Sequence, residues 1–416
     1  IARGRRRMTA AHTDGRATVL VIASTYPRWR GDPEPGFVHE LCKRLAARFH
    51  VIALVPDAPG ADPGGVLDGV EVIRYRYAPR SLQTLVNDGG IITNLRRARW
   101  KCLLVPPMVL AQAWRTWRLV RALHVDAVHA HWLIPQGLIM AVMSALSSQA
   151  PPYLVTSHGA DLFALRGRWL ESIKRFVVRR ATAVTVVSQA MRDELASIGI
   201  DAAGIVVEPM GVDLSHRFTP DAPVARSSRE MLFVGRLVEK KGLQYLIDAM
   251  PAVLAIHPDA FLTVAGFGPE EARLRMRVRE SGLMDKVVFV GAVRQADLPA
   301  LYRRAAVLVA PFVQAASGDR EGLGLVVVEA IGCGCPVVVS DLPATRDVLP
   351  DSAGCARVVP GDSRVLAQAI LDLLAAPDAR RAAVAIDREQ LVRKFDWDVV
   401  SNRYADILER LVAHGR

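Results

Sequence analysis

Cysteine and long apolar runs are both scarce in this chain. Five cysteines among 416 residues show no disulfide-like spacing, which argues against a disulfide-stabilised secreted protein and favours a reducing compartment. Cys333 and Cys335 form a C-x-C, but we interpret them as small residues in a helix-to-strand turn rather than as metal ligands. No apolar run reaches the roughly 20 residues that cross a bilayer, so we expect no membrane-spanning helix.

The N-terminus also lacks the apolar stretch of a secretory signal. Residues 1–17 are basic, and we expect them to form a disordered tail, with Met8 as a candidate start of the native chain. Together with the cysteine content, this predicts a cytoplasmic location.

Acidic residues are underrepresented in the first half of the chain. Residues 1–225 hold 28 Lys and Arg against 18 Asp and Glu, a net charge of +10 out of +11 for the whole chain. Six of the seven tryptophans lie in the same half. A basic, Trp-bearing half suggests one domain that meets an anionic surface. No recognised nucleic-acid-binding motif accompanies the charge, so we expect no nucleic-acid partner.

The chain alternates apolar strand patterns with helical patterns, which predicts parallel sheets covered on both faces. We expect a first domain at 18–218, a linker at 219–229 and a second domain at 230–397. Within the first domain, residues 94–123 carry Arg and Lys interleaved with Trp100, Trp114 and Trp117 and are expected to break near Pro106. This segment is either an interfacial element for a membrane or a solvated helix with Trp in the core.

The most informative stretch is 317–341, SGDREGLGLVVVEAIGCGCPVVVSD. Glu321 lies in a Gly-rich turn, and Glu329 interrupts an apolar helix that should be buried. A buried carboxylate is costly unless it is hydrogen-bonded, and the hydroxyl groups of a ligand would satisfy Glu329. The loop before the helix offers N–H groups and a positive dipole end to an anion. The stretch therefore predicts a site for a sugar nucleotide.

Two further groups of residues follow strands, where open α/β sheets bind ligands. Arg236 and Lys241 lie in a strand-to-helix loop and are suited to a phosphate group. His131 ends a strand in HAHW, and His158 and Asp161 stand in HGAD after another strand.

The spacing of Glu321 and Glu329, in the context EGLGLVVVEAIGCGCPVV, resembles the E-x7-E signature of retaining glycosyltransferases of family 4. The resemblance covers nearly the whole chain and implies the α/β fold called GT-B, in which two Rossmann-like domains face each other across a cleft. The first would bind the acceptor and the second the nucleotide-sugar donor, and a last helix at 398–413 would pack back on the first. The hinge segment PMGVD departs from the family's NGVD at Met210.

The resemblance also implies roles for individual residues. Arg236 and Lys241 would bind the donor diphosphate, Glu321 the sugar hydroxyls and Glu329 the ribose, and His158 would lie at the reaction centre. His131 and Asp161 would be on the acceptor side. The further donor contacts implied by the resemblance are Gly36, Gly322, Leu323 and Gly324.

No cofactor and no metal are implied, although Asp396 and Asp398 form a D-x-D. That pair falls at a helix start, where Asp often caps, and we interpret it as a cap.

The function implied is retaining, metal-independent transfer of a hexose from a UDP- or GDP-linked donor to a lipid-linked or saccharide acceptor in cell-envelope or exopolysaccharide synthesis. The enzyme would be cytoplasmic and peripheral on the inner face of the plasma membrane, held there by its basic first domain. Two alternatives stay open. One is a sugar-nucleotide epimerase of the same fold, and the other is a non-catalytic membrane-docking scaffold with a vestigial donor site.

Overall fold

The structure is a computed structural model that describes residues 15–415, apart from 33–35, 63, 88–89, 221–224, 350–351 and 353. Residues 1–14 of the predicted tail at 1–17, and residues 221–224 of the predicted linker at 219–229, therefore lie outside the described residues. Within the described ranges, no helix is both long enough and apolar enough to cross a membrane.

The first domain is built on an eight-stranded sheet flanked by helices. Its strands are β1 (Thr18–Ile22), β2 (His50–Pro56), β3 (Gly65–Leu67), β4 (Val70–Tyr75), β5 (Ala127–His131), β6 (Tyr153–Ser157), β7 (Ala183–Val186) and β8 (Ile205–Val207). Its helices are α1 (Phe37–Leu45), α2 (Gly90–Arg97), α3 (Val105–Ala122), α4 (Leu138–Leu146), α5 (Ala160–Phe163), α6 (Arg168–Arg180) and α7 (Gln189–Ser197). The strand order is β3-β4-β2-β1-β5-β6-β7-β8, and among these described strands β3, which the sequence did not predict, is the one that runs antiparallel to its neighbour.

The second domain has a six-stranded parallel sheet in the order β11-β10-β9-β12-β13-β14. Its strands are β9 (Glu230–Val234), β10 (Phe261–Ala265), β11 (Val287–Gly291), β12 (Val307–Ala310), β13 (Val337–Ser340) and β14 (Cys355–Val358). Its helices, with the final crossing helix, are α8 (Leu243–Ile256), α9 (Glu271–Glu280), α10 (Leu298–Arg304), α11 (Leu325–Gly332), α12 (Ser363–Leu374), α13 (Pro377–Phe395) and α14 (Trp397–Gly415).

Both sheets are buried on their two faces, because their central strands consist almost wholly of apolar residues. Residues 19–22 of β1 and 337–339 of β13 have no exposed surface. In each sheet the strand order reverses direction beside a central strand, at β1 in the first domain and β9 in the second. Loops diverge at such a point and leave a crevice at the carboxyl ends of the strands, so the two crevices form the walls of one cleft.

The basic segment at 94–123 comprises three elements, and a boundary between two of them lies just before Pro106, near the predicted break. Helix α2 ends at Arg97, a 3-10 turn covers Arg99–Leu104, and α3 begins at Val105. Pro106 lies in the first turn of α3, where backbone N–H groups have no acceptor within the helix. A proline costs no hydrogen bond there, so it starts this helix rather than interrupting one.

Helix α14 crosses from the second domain back onto the first. Tyr404 stacks on His129 of β5 with ring centroids 5.7 Å apart, and its hydroxyl donates to the carbonyl of Glu208 at 2.9 Å. At the crossing, Gly211 packs directly on the indole of Trp397, which leaves no room for a Cβ at residue 211. The PMGVD segment and the start of α14 therefore pack together as one hinge.

The buried carboxylate of Asp396 stabilises this hinge by accepting hydrogen bonds from both of its segments. Its Oδ2 accepts from the Leu214 N–H at 3.1 Å and the Ser215 hydroxyl at 2.9 Å, and its Oδ1 accepts from the Asp398 N–H at 2.9 Å. The last of these is a helix-capping contact, as predicted for this D-x-D.

We expect Asp396→Ala to lower the free energy of unfolding by about 2–4 kcal/mol, because it leaves buried N–H groups without acceptors. The exposed Asp398 is the matched control, and Asp398→Ala should change it by less than about 0.5 kcal/mol. Urea denaturation of both variants measures the difference. Equal costs for the two aspartates would contradict this role.

Candidate active site

The loop after β9 brings a lysine to the predicted signature glutamate. The Lys241 Nζ lies 2.8 Å from Oε2 of Glu321, and it also lies 4.6 Å from the centroid of the Phe312 ring. The side chains of Lys241 and Glu321 are both largely buried. Two residues 80 positions apart in the sequence are thus joined as an ion pair at the carboxyl ends of β9 and β12.

Glu321 is held in its ionised form. Burial by itself raises its pKa, but the charges of Lys241 and Lys240, a hydrogen bond from Lys241 and the backbone of Leu323 outweigh that effect and bring the pKa to about 2. An ionised carboxylate only accepts hydrogen bonds, so the group suits the hydroxyls of a sugar.

The following residues shape a helix start that suits an anion. Gly324 has a positive φ of 88° and occupies the N-cap position of α11, where no side chain among the described residues forms a capping bond. A helix N-terminus left in this way presents N–H groups and the positive end of the dipole. Glu321, Gly322, Leu323 and Gly324 therefore stand as one loop between the lysine and the helix, and we call 317–324 the donor loop.

Glu329 is almost fully buried on α11, and the protein already supplies its hydrogen bonds. The Tyr302 hydroxyl donates to one oxygen at 2.7 Å and the Gln295 amide donates to the other at 3.0 Å. A ligand is therefore not needed to satisfy Glu329, contrary to the sequence-based argument. Burial raises its pKa, although both hydrogen bonds and Lys241 oppose the shift.

Glu329 also lines a cavity of about 560 Å³ between the domains. Gly36, at the start of α1, lines it from the first domain, with a basic rim formed by Arg30, Lys43, Arg217 and Arg294.

Nothing in the sequence identified Tyr302 as a partner of Glu329. Gln295, which follows the end of β11, could have been found by its position after a strand.

Arg236 reaches across the cleft. Its Nη2 donates to the Thr93 hydroxyl of α2 at 2.9 Å. The predicted phosphate-binding arginine therefore lies against the first domain, and Thr93 is a cleft residue that sequence analysis missed.

His158 directly follows β6, and the fully buried His131 is the last residue of β5. His131 Nδ1 and His158 Nε2 are 2.9 Å apart, and the rings stack at 5.1 Å. Phe37 and Trp132 pack around His158 with centroids 4.9 and 5.1 Å away. Burial lowers the pKa of His158 to about 3, so the imidazole is neutral at physiological pH.

Asp161 turns away from the cleft into the protein. Its carboxylate accepts from the Leu133 N–H at 2.7 Å, the Ser157 hydroxyl at 2.9 Å and the His158 N–H at 3.3 Å. These bonds hold the turn that presents His158. The structure thus places Asp161 and the fully buried His131 behind His158 and not on a surface that an acceptor could touch.

The donor loop and the His158 turn meet across the cleft through two glycines. A Cβ at Gly322 would lie 2.9 Å from the carbonyl oxygen of His158, and one at Gly159 would lie 3.2 Å from the Gly322 Cα. Contacts this close exclude a side chain at residue 322. The site therefore joins an ionised glutamate, a lysine, a neutral histidine and an uncapped helix start, which can bind a diphosphate together with a hydroxylated group.

Metal ligands are not grouped in the part of the chain that the structure describes. No set of three or more His, Cys, Asp or Glu side chains there could hold an ion.

Comparisons with known proteins agree with this geometry. The family model described as "Glycosyltransferase Family 4" matches residues 37–216, and that described as "Glycosyl transferases group 1" matches 228–376. A phosphatidyl-myo-inositol mannosyltransferase of Mycobacterium leprae is 36% identical over 86% of this chain and 95% of its own length. A GDP-mannose-dependent alpha-(1-6)-phosphatidylinositol monomannoside mannosyltransferase of Mycobacterium tuberculosis is 32% identical over 94% of this chain and 97% of its own length.

Solved structures share the fold at low sequence identity. Sucrose-phosphate synthase of Thermosynechococcus elongatus superposes with a TM-score of 0.77 at 23% identity, over 96% of this chain and all of that one. Anabaena HepE, solved in complex with UDP-glucose, gives 0.70 at 18% identity, over 94% and 99% of the two chains. The two facing sheets are those of the GT-B fold, and the E-x7-E residues lie at the cleft between them. The family models and relatives show that the chain belongs to the group 1, family 4 glycosyltransferases.

Proposed function

We propose that the protein is a retaining hexosyltransferase that needs no metal ion and transfers a sugar from a nucleoside-diphosphate donor to a lipid-linked or saccharide acceptor. The observation that carries the proposal is the Lys241–Glu321 pair at the start of α11, packed against the His158 turn. One side of this junction suits a leaving diphosphate and the other a sugar ring. Cell-envelope or exopolysaccharide synthesis is the proposed setting.

The main catalytic requirement is to stabilise the negative charge that develops on the departing diphosphate. Arg236, Lys241 and the N–H groups at the start of α11 supply positive charge and hydrogen-bond donors for it. Lys241 can contact both Glu321 and a phosphate, because an ammonium group has three donors. No metal ion enters this scheme.

The sugar ring is held from the other side of the junction. Glu321 accepts hydrogen bonds from its hydroxyls, and the neutral imidazole of His158 contacts it from the first domain. Glu329 holds the ribose, exchanging or sharing its bonds with Tyr302 and Gln295. Asp161 and His131 act by orienting His158 rather than by touching the acceptor.

The acceptor hydroxyl attacks from the face that the diphosphate leaves, so the anomeric configuration is retained. The departing phosphate takes the proton of that hydroxyl, and no enzyme nucleophile is required. Contact between the donor loop and the His158 turn excludes water from the reacting carbon and limits hydrolysis of the donor.

UDP- and GDP-linked hexoses are the proposed donors. GDP-mannose stands in the name of the Mycobacterium tuberculosis relative, and HepE was solved with UDP-glucose bound. The names of the mannosyltransferase relatives point to an inositol phospholipid or its mannoside as the first acceptor to test.

An exposed aromatic and basic surface on the first domain supports docking to an anionic membrane, such as the inner face of the plasma membrane. Trp100 and Trp114 are each 50% exposed and Leu103 is 74% exposed, so these tryptophans are not in the core as the alternative interpretation required. Arg118 lies over Trp114 and Arg121 over Trp117, which keeps the aromatic rings beside positive charge. Such a surface suits the headgroup region of an anionic bilayer.

We expect the triple variant Trp100→Ala, Leu103→Ala, Trp117→Ala to bind vesicles containing phosphatidylinositol at least about tenfold more weakly than wild type, because it loses three apolar contacts with lipid. Sedimentation with vesicles measures the change. Ile386→Ala, which removes an exposed apolar residue of the second domain, is the control and should bind as wild type does. Equal binding of the triple variant and wild type would exclude this surface as the docking site.

A transfer assay tests the activity itself. The protein is incubated with UDP- or GDP-hexoses and with phosphatidylinositol or polyprenyl-phosphate glycolipids, and products are analysed by mass spectrometry and NMR. Acceptor-dependent formation of an α-linked product from an α-linked donor supports the proposal. Conversion of the donor sugar without an acceptor would favour an epimerase instead, and turnover of no donor would favour a non-catalytic scaffold.

A further inference from the structure

Arg320, the residue before Glu321, ties the donor loop to the first domain. Its Nη2 donates to Oε2 of Glu194 at 2.6 Å, and its guanidinium carbon lies 4.2 Å from the centroid of the Phe163 ring. Glu194 is on α7 and Phe163 ends α5, so both partners belong to the first domain. The side chains of Arg320 and Glu194 are only 22% and 20% exposed, which shields the ion pair from solvent.

A second contact joins the same helix to the second domain. The N–H of Gln189, the first residue of α7, donates to Oδ2 of Asp347 at 2.6 Å. Ser188 is at the N-cap position, but its side chain forms no capping bond, and its Oγ is buried without a partner among the described residues. Asp347 therefore caps α7 from the opposite domain, where a serine would ordinarily do so.

Helix α7 therefore contacts the second domain at two points: Asp347 bonds its N-terminus, and Arg320 bonds Glu194. Neither contact can survive separation of the domains, since each joins one domain to the other. The Ser188 hydroxyl, one residue before Gln189, is in place to cap α7 when Asp347 withdraws. A contact that forms when the domains close and breaks when they open needs partners on opposite domains and a replacement cap for the helix, and α7 has both.

The Arg320 contact sets the position of catalytic groups because of where it lies in the chain. Glu321 follows it directly, and Gly322 then packs on the His158 carbonyl with no space to spare. From the second domain, Lys240 donates to the Arg320 carbonyl at 3.2 Å. The backbone of the donor loop is therefore held by contacts from both domains. Loss of the Arg320 side chain would release the donor loop from the His158 turn.

We propose that Arg320 and Glu194 are positioning residues that latch the donor loop against His158 when the cleft closes, with Asp347 as the second half of the latch. This proposal rests on the proposed transfer activity. The groups proposed to bind the nucleoside diphosphate, Arg236, Lys241 and Glu329, all belong to the second domain, whereas transfer of the sugar needs both domains, so the latch acts on turnover and not on nucleotide affinity. A contact that serves stability alone would not separate these two quantities.

The test compares Arg320→Ala, Glu194→Gln and the double variant with wild type. Calorimetry measures nucleoside-diphosphate affinity, and steady-state kinetics give kcat for transfer. We expect kcat to fall about tenfold in each single variant, with nucleotide affinity within about twofold of wild type. The double variant should resemble the singles, because both remove one shared contact. Arg320→Lys keeps the charge and should recover part of kcat.

Arg277→Ala is the matched control, because Arg277 pairs with Asp248 inside the second domain and far from the donor loop in sequence. Its kcat should equal that of wild type. The latch is overturned if Arg320→Ala and Glu194→Gln have the kcat of the control, if their effects on kcat multiply in the double variant, or if nucleotide affinity falls as much as kcat. Failure of the wild type to bind any nucleotide would count against the proposed function and not against the latch alone.

Discussion

We expect Lys241→Ala to lower kcat for transfer by roughly 10²- to 10³-fold and the free energy of unfolding by about 3 kcal/mol. The first effect is the loss of positive charge opposite the leaving diphosphate. The second arises because the buried carboxylate of Glu321 is left uncompensated once its 2.8 Å partner is gone. Turnover assays and urea denaturation measure the two effects independently.

The double variant Lys241→Met, Glu321→Gln separates stability from catalysis. It removes both charges while keeping approximate side-chain volume, so we expect unfolding close to wild type and activity as low as in Lys241→Ala. A Lys241→Ala variant that unfolds as wild type does would show that the pair is not buried as described, and one that retains full activity would remove Lys241 from the donor site.

The pH dependence of Lys241→Ala has a definite sign. In the wild type Glu321 has a pKa of about 2, below its unfolded value, so its stabilising contribution is present at neutral pH and is lost as pH falls below about 4.5. Without Lys241, burial acts with less opposition and the folded pKa rises. The loss of stability that protonation of Glu321 causes below about pH 4.5 should therefore be smaller in the variant than in wild type, as urea denaturation across that range would show.

Acid lability of the first domain is the second large effect that we expect. His129, His131 and His158 form a ladder of adjacent rings, with centroids 4.1 and 5.1 Å apart, and the ring of Tyr404 on α14 stacks on His129 at its inner end. Burial lowers the pKa of His129 and of His158 to about 3 and that of His131 well below its usual value. Protonation would also create buried N–H donors, because His129 Nδ1 and His131 Nε2 have no acceptor among the described residues.

Because these folded pKa values lie below those of unfolded histidine, the unfolded chain binds more protons as pH falls. The stability that the neutral ladder contributes is present above about pH 6.5 and decreases towards pH 3. Each fully buried histidine contributes up to about 1.4 kcal/mol per pH unit within that window. We therefore expect the wild type to lose several kcal/mol between pH 7 and pH 5.

His129→Gln tests the ladder without touching the proposed reaction centre. Glutamine can keep the bond that His129 Nε2 makes to the Thr156 hydroxyl, but it cannot take up a proton. The variant should show a shallower loss of stability below pH 6.5 by about 1 kcal/mol per pH unit, measured by urea denaturation. Glu208, whose pKa burial raises to about 7, acts in the opposite direction but equally in both proteins. Identical pH profiles would refute the ladder.

How far the sequence could predict this molecule depends on whether a feature is local. Hydrophobic patterns and strand-end polar residues were enough to predict two parallel-sheet domains and to select Arg236, Lys241, Glu321 and Glu329, and the structure places Lys241 beside Glu321. That pairing itself was not predictable, because 80 residues separate the partners and nothing in their spacing relates them. The satisfaction of Glu329 by Tyr302 and Gln295 depends in the same way on the packing of α10 against α11.

Asp161 shows the other limit. The HGAD motif identifies the turn, but which side chain faces the cleft depends on backbone direction. Gly159, with a φ of 109°, turns the chain between the two residues, so that the His158 ring packs against Phe37 and Asp161 accepts from the Leu133 N–H. The sequence shows that the residues lie together, and only the fold shows their orientations.

The most direct test of the donor site is a thermal-shift measurement with UDP, GDP, ADP and dTDP and their hexose conjugates, on wild type, Glu329→Ala and Arg236→Ala. We expect one nucleotide to raise the melting temperature of the wild type, as about 2.7 kcal/mol of binding energy at 100-fold excess over Kd requires, and the shift to disappear in both variants. No shift with any nucleotide at millimolar concentration, or an equal shift in the variants, would contradict a donor site at these residues.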